Sequence, residues 1–152
     1  MSIEFEDVII PTGVAHAGTT VREVFQECVT HNVLGIPFCS DQEKIIGRVS
    51  IRHTLKESCI PKHLVKGAHL LGNLIEGLRI SETTIRTILD TPVDEFVIPP
   101  VAIINSSAPM VKAISIMEQC DTPYAFVVDE GVYRGVITRM GCAEIMLRVE
   151  DI

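Results

Sequence analysis

The sequence predicts an α/β (α+β) fold made of one β-α-β-β-α unit written twice. Three observations carry that expectation. Ile9-Ile10-Pro11, followed by Val14-Ala15, returns 88 residues later as Val97-Ile98-Pro99, followed by Val101-Ala102. Phe38-Cys39-Ser40-Asp41 returns as Phe126-Val127-Val128-Asp129, and six residues after each Asp stands a glycine, in Gly47-Arg48-Val49-Ser50 and Gly135-Val136-Ile137-Thr138. Within each copy the apolar spacing changes from helical to strand-like and back. At 152 residues the chain is long enough to bury one core without a disulfide or metal staple.

Each element has a local reason. In the first copy Val21, Val24, Phe25 and Cys28 form a helix stripe, opened by Thr19 or Thr20 as N-cap. Their counterparts are Met110, Ala113, Ile114 and Met117. Ile36 to Cys39 and Tyr124 to Val128 are short, largely apolar runs, as in buried strands. Asp41-Gln42-Glu43 and Asp129-Glu130-Gly131 are turn chemistry, so each run returns as a hairpin, into Ile45 to Val49 and Val132 to Ile137. After Ser50 and Thr138 the period becomes helical again, which puts a hydroxyl at each strand-to-helix junction.

A connector of forty residues separates His53 from Val93. Pro61 stops one helix, and Leu64, Ala68, Leu71, Ile75 and Leu78 then repeat at 4, 3, 4, 3, an amphipathic stripe. Gly67, Gly72 and Gly77 interrupt it, each costing about 1 kcal/mol in a helix. Ser81-Glu82-Thr83-Thr84 starts another helix through Ile85 to Leu89, and Pro92 closes it. The stripe is expected to be an extra helix covering the protein's own core, with a partner-docking or dimer surface as the alternative. The organisation is therefore residues 5–56, a helical connector 57–91, and residues 92–150.

Composition narrows the function. Thirteen basic against twenty acidic residues give a net charge of −7 with no basic block, so nucleic acid is excluded as the main ligand. Mean hydropathy is +0.33, yet the densest apolar stretch, Phe96 to Ile104, is nine residues long and holds Pro99 and Pro100. A spanning helix needs about 20 apolar residues, and the opening residues are acidic where a signal peptide is basic. A soluble, cytoplasmic chain without a membrane role is expected. Cys28, Cys39, Cys59, Cys120 and Cys142 include no CxxC pair, and His63 and His69 are wrongly spaced for one helix face, so no metal site is expected. No nucleophile–base pair or Gly-rich phosphate loop is visible, and no enzyme is expected.

The apolar strand, the Asp turn, the glycine, the Ser or Thr and the following helix together resemble the CBS domain, named for cystathionine β-synthase. Two in tandem resemble a Bateman module, and the resemblance covers residues 5–56 and 92–150. It implies two repeats packed sheet to sheet around a pseudo-twofold axis, with up to two ligand sites in the cleft. It also implies a homodimer through the repeat helices, with the stripes Val21 to Cys28 and Met110 to Met117 supplying the face. The connector 57–91 would be the place for an unknown protein partner.

Such modules commonly bind AMP, ADP, ATP or S-adenosylmethionine as a regulatory ligand; no cofactor is required. Ser50 and Thr138 would offer a hydroxyl and free backbone N–H groups at a positive helix end, which suits phosphate. Ala15, Ile36 and Pro37, then Ala102, Ile103, Tyr124 and Ala125, would clasp the adenine, and Arg52 and Arg139 would pair with phosphate oxygens. A plain N-cap and a solvated arginine are the competing readings. The family's usual Asp, third after the Ser or Thr, accepts from both ribose hydroxyls; here His53 and Gly141 stand there. A neutral His accepts one such bond, and Gly none. The expected function is a stand-alone module that senses an adenosine nucleotide and signals to a partner. The alternative is a dimerisation or docking module with degenerate pockets.

Overall fold

The computed structural model describes residues 5–61, 64–72, 79–99 and 101–149. Thr20 opens helix α1 (Val21–His31) by accepting a hydrogen bond from the Glu23 N–H, which decides between the two threonines. Strands β1 (Gly35–Cys39) and β2 (Ile45–Ser50) form an antiparallel hairpin, and α2 (Ile51–Cys59) follows directly. Helix α3 (Glu82–Leu89) starts at Ser81, whose hydroxyl accepts from Thr84 N–H. The second copy then gives β3 (Ile103–Ile104), α4 (Met110–Gln119), β4 (Tyr124–Asp129), β5 (Val132–Thr138) and α5 (Arg139–Arg148). Its sheet runs β3-β4-β5, with β3 parallel and β5 antiparallel to β4.

The opening segment of each copy straddles both sheets. Ile10 exchanges two backbone hydrogen bonds of 2.9 Å with Val136 of the other copy. Five residues on, Ala15 bonds back into its own copy, donating to Pro37 O and accepting from Cys39 N–H. Ile98 mirrors this, exchanging bonds of 3.0 and 3.1 Å with Arg48 of the first copy, after which Ala102 accepts from Phe126 N–H. In the first unit the opening strand is thus reduced to single bridges, and in both units one bridge, at Ile10 or Ile98, crosses to the other copy, while β3 pairs with β4 of its own copy. Gly135 is what lets Ile10 approach: its φ is +152°, and a Cβ there would stand 2.5 Å from Ile10 O.

Two cores result. One joins α1, β1 and β2 to Tyr124, Phe126 and Val136 of the second copy; the other packs Val8, Ala113, Met117, Ala125, Val127, Ile137 and Cys142. Because β1 is buried along its whole length and β4 over its first four residues, both read as continuous apolar runs. Val21, Val24, Cys28, Ala113 and Met117 all lie inside these cores. Of the stripes expected to supply a dimer face, these five residues are buried within the chain, while Phe25 and Met110 are half-buried. Ile114, expected on the inner stripe, is 38% exposed, and Ile116 packs inward in its place. The turn Phe5–Val8 is held to the second copy by Arg134, which pairs with Glu6 and Asp129 at 2.8 Å each. The bond from Arg134 holds the Glu6 carboxyl below its ordinary range, and hydrogen bonds from Ser106, with Arg134 second, do the same for Asp129.

The connector departs from expectation. Among its described residues, 64–72 contain no α-helix, Ala68–Leu70 being a 3-10 turn, and Leu64, Ala68 and Leu71 are not buried. Gly67 precedes that turn, where an α-helix would lose about 1 kcal/mol to its backbone freedom. Ile75, Gly77 and Leu78 lie outside the described residues. No helix among those described is long and apolar enough to cross a membrane, and no cluster of three potential metal ligands occurs. All five cysteines are free thiols; Cys28, Cys39 and Cys142 are buried, and burial pushes the Cys28 thiol up to about 11.

Candidate ligand pocket at the repeat junction

Because Ile98 crosses to β2, the end of the first hairpin meets the start of β4. Between them lies a cavity of about 310 Å³. One wall is Ser50, Ile51, Arg52, His53 and Lys56 on the first turns of α2, with Arg48 on β2; the other is Asp121, Pro123 and Tyr124 from the second copy, with Leu34 and Ile98 between. Ser50 caps α2 by accepting from His53 N–H at 3.0 Å, and Ile51 N–H donates to Leu34 O. Two of the first three helical N–H groups are thus used internally. The hydroxyl of Ser50 keeps its proton to donate, so cap and ligand contact are compatible.

Tyr124 is 2% exposed, and Arg48 donates to its hydroxyl at 2.7 Å while the guanidinium carbon lies 5.6 Å from the ring centroid. Burial raises the Tyr124 phenol, and Arg48 offsets part of that rise. Gly35 makes the arrangement fit, since a Cβ there would collide with the Tyr124 hydroxyl. His53 also borders a second cavity of about 430 Å³, with Glu57, Thr91, Glu95 and Phe96. A larger space of about 560 Å³ under the connector, walled by Pro61, Leu64, Val65, Leu71 and Ile80, holds none of the sequence-predicted residues.

Of the sequence-predicted residues, Ser50, Arg52, His53 and Tyr124 come together in the junction pocket. Ala15, Ile36, Ala102 and Ala125 are at most 2% exposed, and Pro37 is buried beside Ile36. These five are core residues on strands and segments covered on both faces, so Leu34, Ile98, Pro123 and Tyr124 wall the pocket instead. Ile103 stands exposed on the edge strand β3. Thr138 caps α5 by accepting from Gly141 N–H at 2.9 Å, and Arg139 pairs with Glu118 at 2.6 Å. Around Thr138, Gly141 is packed against Val8, whose Cβ would stand 3.4 Å from a Cβ at Gly141.

Arg48 and Lys56 were missed by sequence reasoning. The signal for Arg48 was present: its counterpart in the second copy is Val136, fully buried, so a charge there breaks the strand's apolar pattern. Lys56 lies one turn beyond Arg52 on the same face of α2 and carries no motif of its own.

Residues 93–148 match the model of the CBS domain family. The whole chain has the fold of CBS-pair proteins. The CBS-pair protein CBSX2 from Arabidopsis thaliana is 17% identical, with a TM-score of 0.68 over 100% of this chain and 99% of that one. CBSX2 in complex with AMP gives 18% and 0.63, over 98% and 99%. A putative acetoin utilization protein from Vibrio cholerae gives 16% and 0.65, over 99% and 95%. No curated protein matches the chain in sequence. The exchange of Ile10 and Ile98 joins the two halves of this fold, together with the core they share.

Proposed function

We propose that this CBS pair is a regulatory module that binds an adenosine nucleotide in the junction pocket and passes its occupancy to a partner. The observation that carries the reading is the pocket's shared construction. Its cationic wall belongs to the first repeat and its aromatic wall to the second. A ligand seated there bridges both repeats and favours whichever arrangement of them it fits better, which is what a sensor needs. Support comes from CBSX2, a protein of this fold whose complex contains AMP. The second reading, a docking module with degenerate pockets, is favoured at Thr138, where Val8 packs on Gly141 and no side chain replaces the carboxylate.

A thermal-shift series with AMP, ADP, ATP and S-adenosylmethionine separates the two readings. A ligand that binds only the folded chain, at 100 times its Kd, adds about 2.7 kcal/mol. For a chain of this size that is a rise of roughly 5–10 °C in Tm. At least one nucleotide is expected to give a rise of that order. No shift with any of the four at millimolar concentration would favour the docking reading.

A further inference from the structure

Each copy opens with a 3-10 turn, Phe5–Val8 and, 88 residues on, Val93–Phe96. Each turn ends two residues before its crossing residue, Ile10 or Ile98, and packs on the last helix of the other copy: Phe5–Val8 on α5, Val93–Phe96 on α2. The two are fastened differently. Val93 N–H donates to Thr19 O at 2.7 Å, and Asp94 accepts from Gly18 N–H, so the second turn is tied to the backbone ahead of α1. Among the described residues, no backbone hydrogen bond joins Phe5–Val8 to the second copy. Glu6 instead pairs with Arg134 through both carboxylate oxygens, at 2.8 and 3.1 Å, and Asp7 pairs with Arg148 at 3.5 Å. All four charged side chains are well exposed, so water and salt weaken these pairs. The turns also cover their helices differently. Gly141 is buried, and a Cβ on it would stand 3.4 Å from that of Val8. At its counterpart in the first copy, a cavity of about 430 Å³ has both His53 and Phe96 on its walls. The first turn lies shut on the third residue after Thr138, where the second leaves room at the third residue after Ser50.

We propose that Phe5–Val8 is a releasable strap that holds the site around Thr138 shut, fastened by Arg134 and Arg148, and that it lifts while the two cores stay folded. What enters once it lifts rests on the nucleotide reading above; the release itself does not. Segments open locally where few buried contacts and no backbone bonds hold them. Lifting the strap breaks two exposed ion pairs and withdraws one buried valine. The paired bonds between Ile10 and Val136, two residues on, mark where the opening stops. It uncovers Gly141 and, beside it, Cys142, a buried thiol in the same core as Val8.

Labelling of the full chain with N-ethylmaleimide, resolved by peptide mass spectrometry, reads the release. Glu6→Gln with Asp7→Asn removes both ion pairs at nearly constant size. The expected result is labelling of Cys142 faster by about threefold to tenfold, as two exposed pairs allow. Cys28, buried in the other core, should label no faster. High salt should speed Cys142 in the wild type and add little in the variant. Arg86→Ala, which breaks an exposed pair on α3, should leave Cys142 unchanged. Cys142 labelling that ignores both variant and salt, or that rises in step with Cys28, would overturn the proposal. ATP is then titrated into the isotopically labelled variant. Movement of amides 138–144, which stay still in the wild type, supports the strap as the cover of a ligand site; movement of 48–56 alone would overturn that role. If ATP moves neither set, the nucleotide reading fails, and faster Cys142 labelling still upholds the release.

Discussion

Phe126→Ala is expected to destabilise the chain by about 3–5 kcal/mol, the range for emptying a large buried aromatic site. Phe126 is 1% exposed on β4 of the second repeat, yet it packs in the core built on α1 of the first. Its ring lies 5.6 Å from that of Tyr124 and 6.1 Å, edge-on, from that of Tyr133. Such aromatic pairs add about 0.5–1.5 kcal/mol beyond burial. The cavity would open between the repeats, so collapse around it needs both sheets to move. Urea unfolding of wild type and variant measures the loss. A cost below about 1 kcal/mol would mean that the two repeats hold together by other contacts.

Gly135→Ala is expected to cost about 2–5 kcal/mol, through a different route. The new Cβ would meet Ile10 O at 2.5 Å and Ile10 C at 2.8 Å, both backbone atoms with no rotamer to escape by. Left-handed strain adds about 1–3 kcal/mol, and losing the paired bonds between Ile10 and Val136 adds about 0.5–1.5 kcal/mol each. Gly131→Ala is the control: its φ is +79°, but nothing lies within 4 Å of the added carbon. That change should cost only about 1–2 kcal/mol. The difference between the variants isolates the approach of Ile10. Amide exchange at Ile10 and Val136 should accelerate in the Gly135 variant more than exchange within α1; equal acceleration everywhere would contradict this account.

The repeat was legible because its signals are local. Ser50 and Thr138 each cap the helix that follows by accepting from the residue three on, and Asp41 and Asp129 each mark a hairpin turn. The helix stripes were legible in period but not in phase: replacing Ile114 by Ile116 on the inner side of α4 follows from how the helix docks on β4, a tertiary fact. The exchange of Ile10 and Ile98 could not be read, because a segment of a few residues pairs with whichever strand edge the fold offers. The same blindness hid which of the residues expected around the adenine are buried. Ile36 is covered by Tyr124 and Phe126 of the facing repeat, and Ala125 by the helices of its own. Arg48 was readable only by comparing the copies position by position, since no single-copy pattern distinguishes it from a solvated strand residue. Over residues 64–72 the connector stripe forms no α-helix, and Gly67 there weakens one.

The claim that the junction pocket, and not the site around Thr138, holds the ligand is tested most directly by amide chemical shifts. ATP would be titrated into the isotopically labelled chain and each backbone amide followed. The expected result is perturbation of residues 48–56 on β2 and α2 and of residues 121–124 leading into β4, saturating together, with 138–144 unmoved. Perturbation centred on Thr138 and Gly141, or equal perturbation of both sets, would contradict the account.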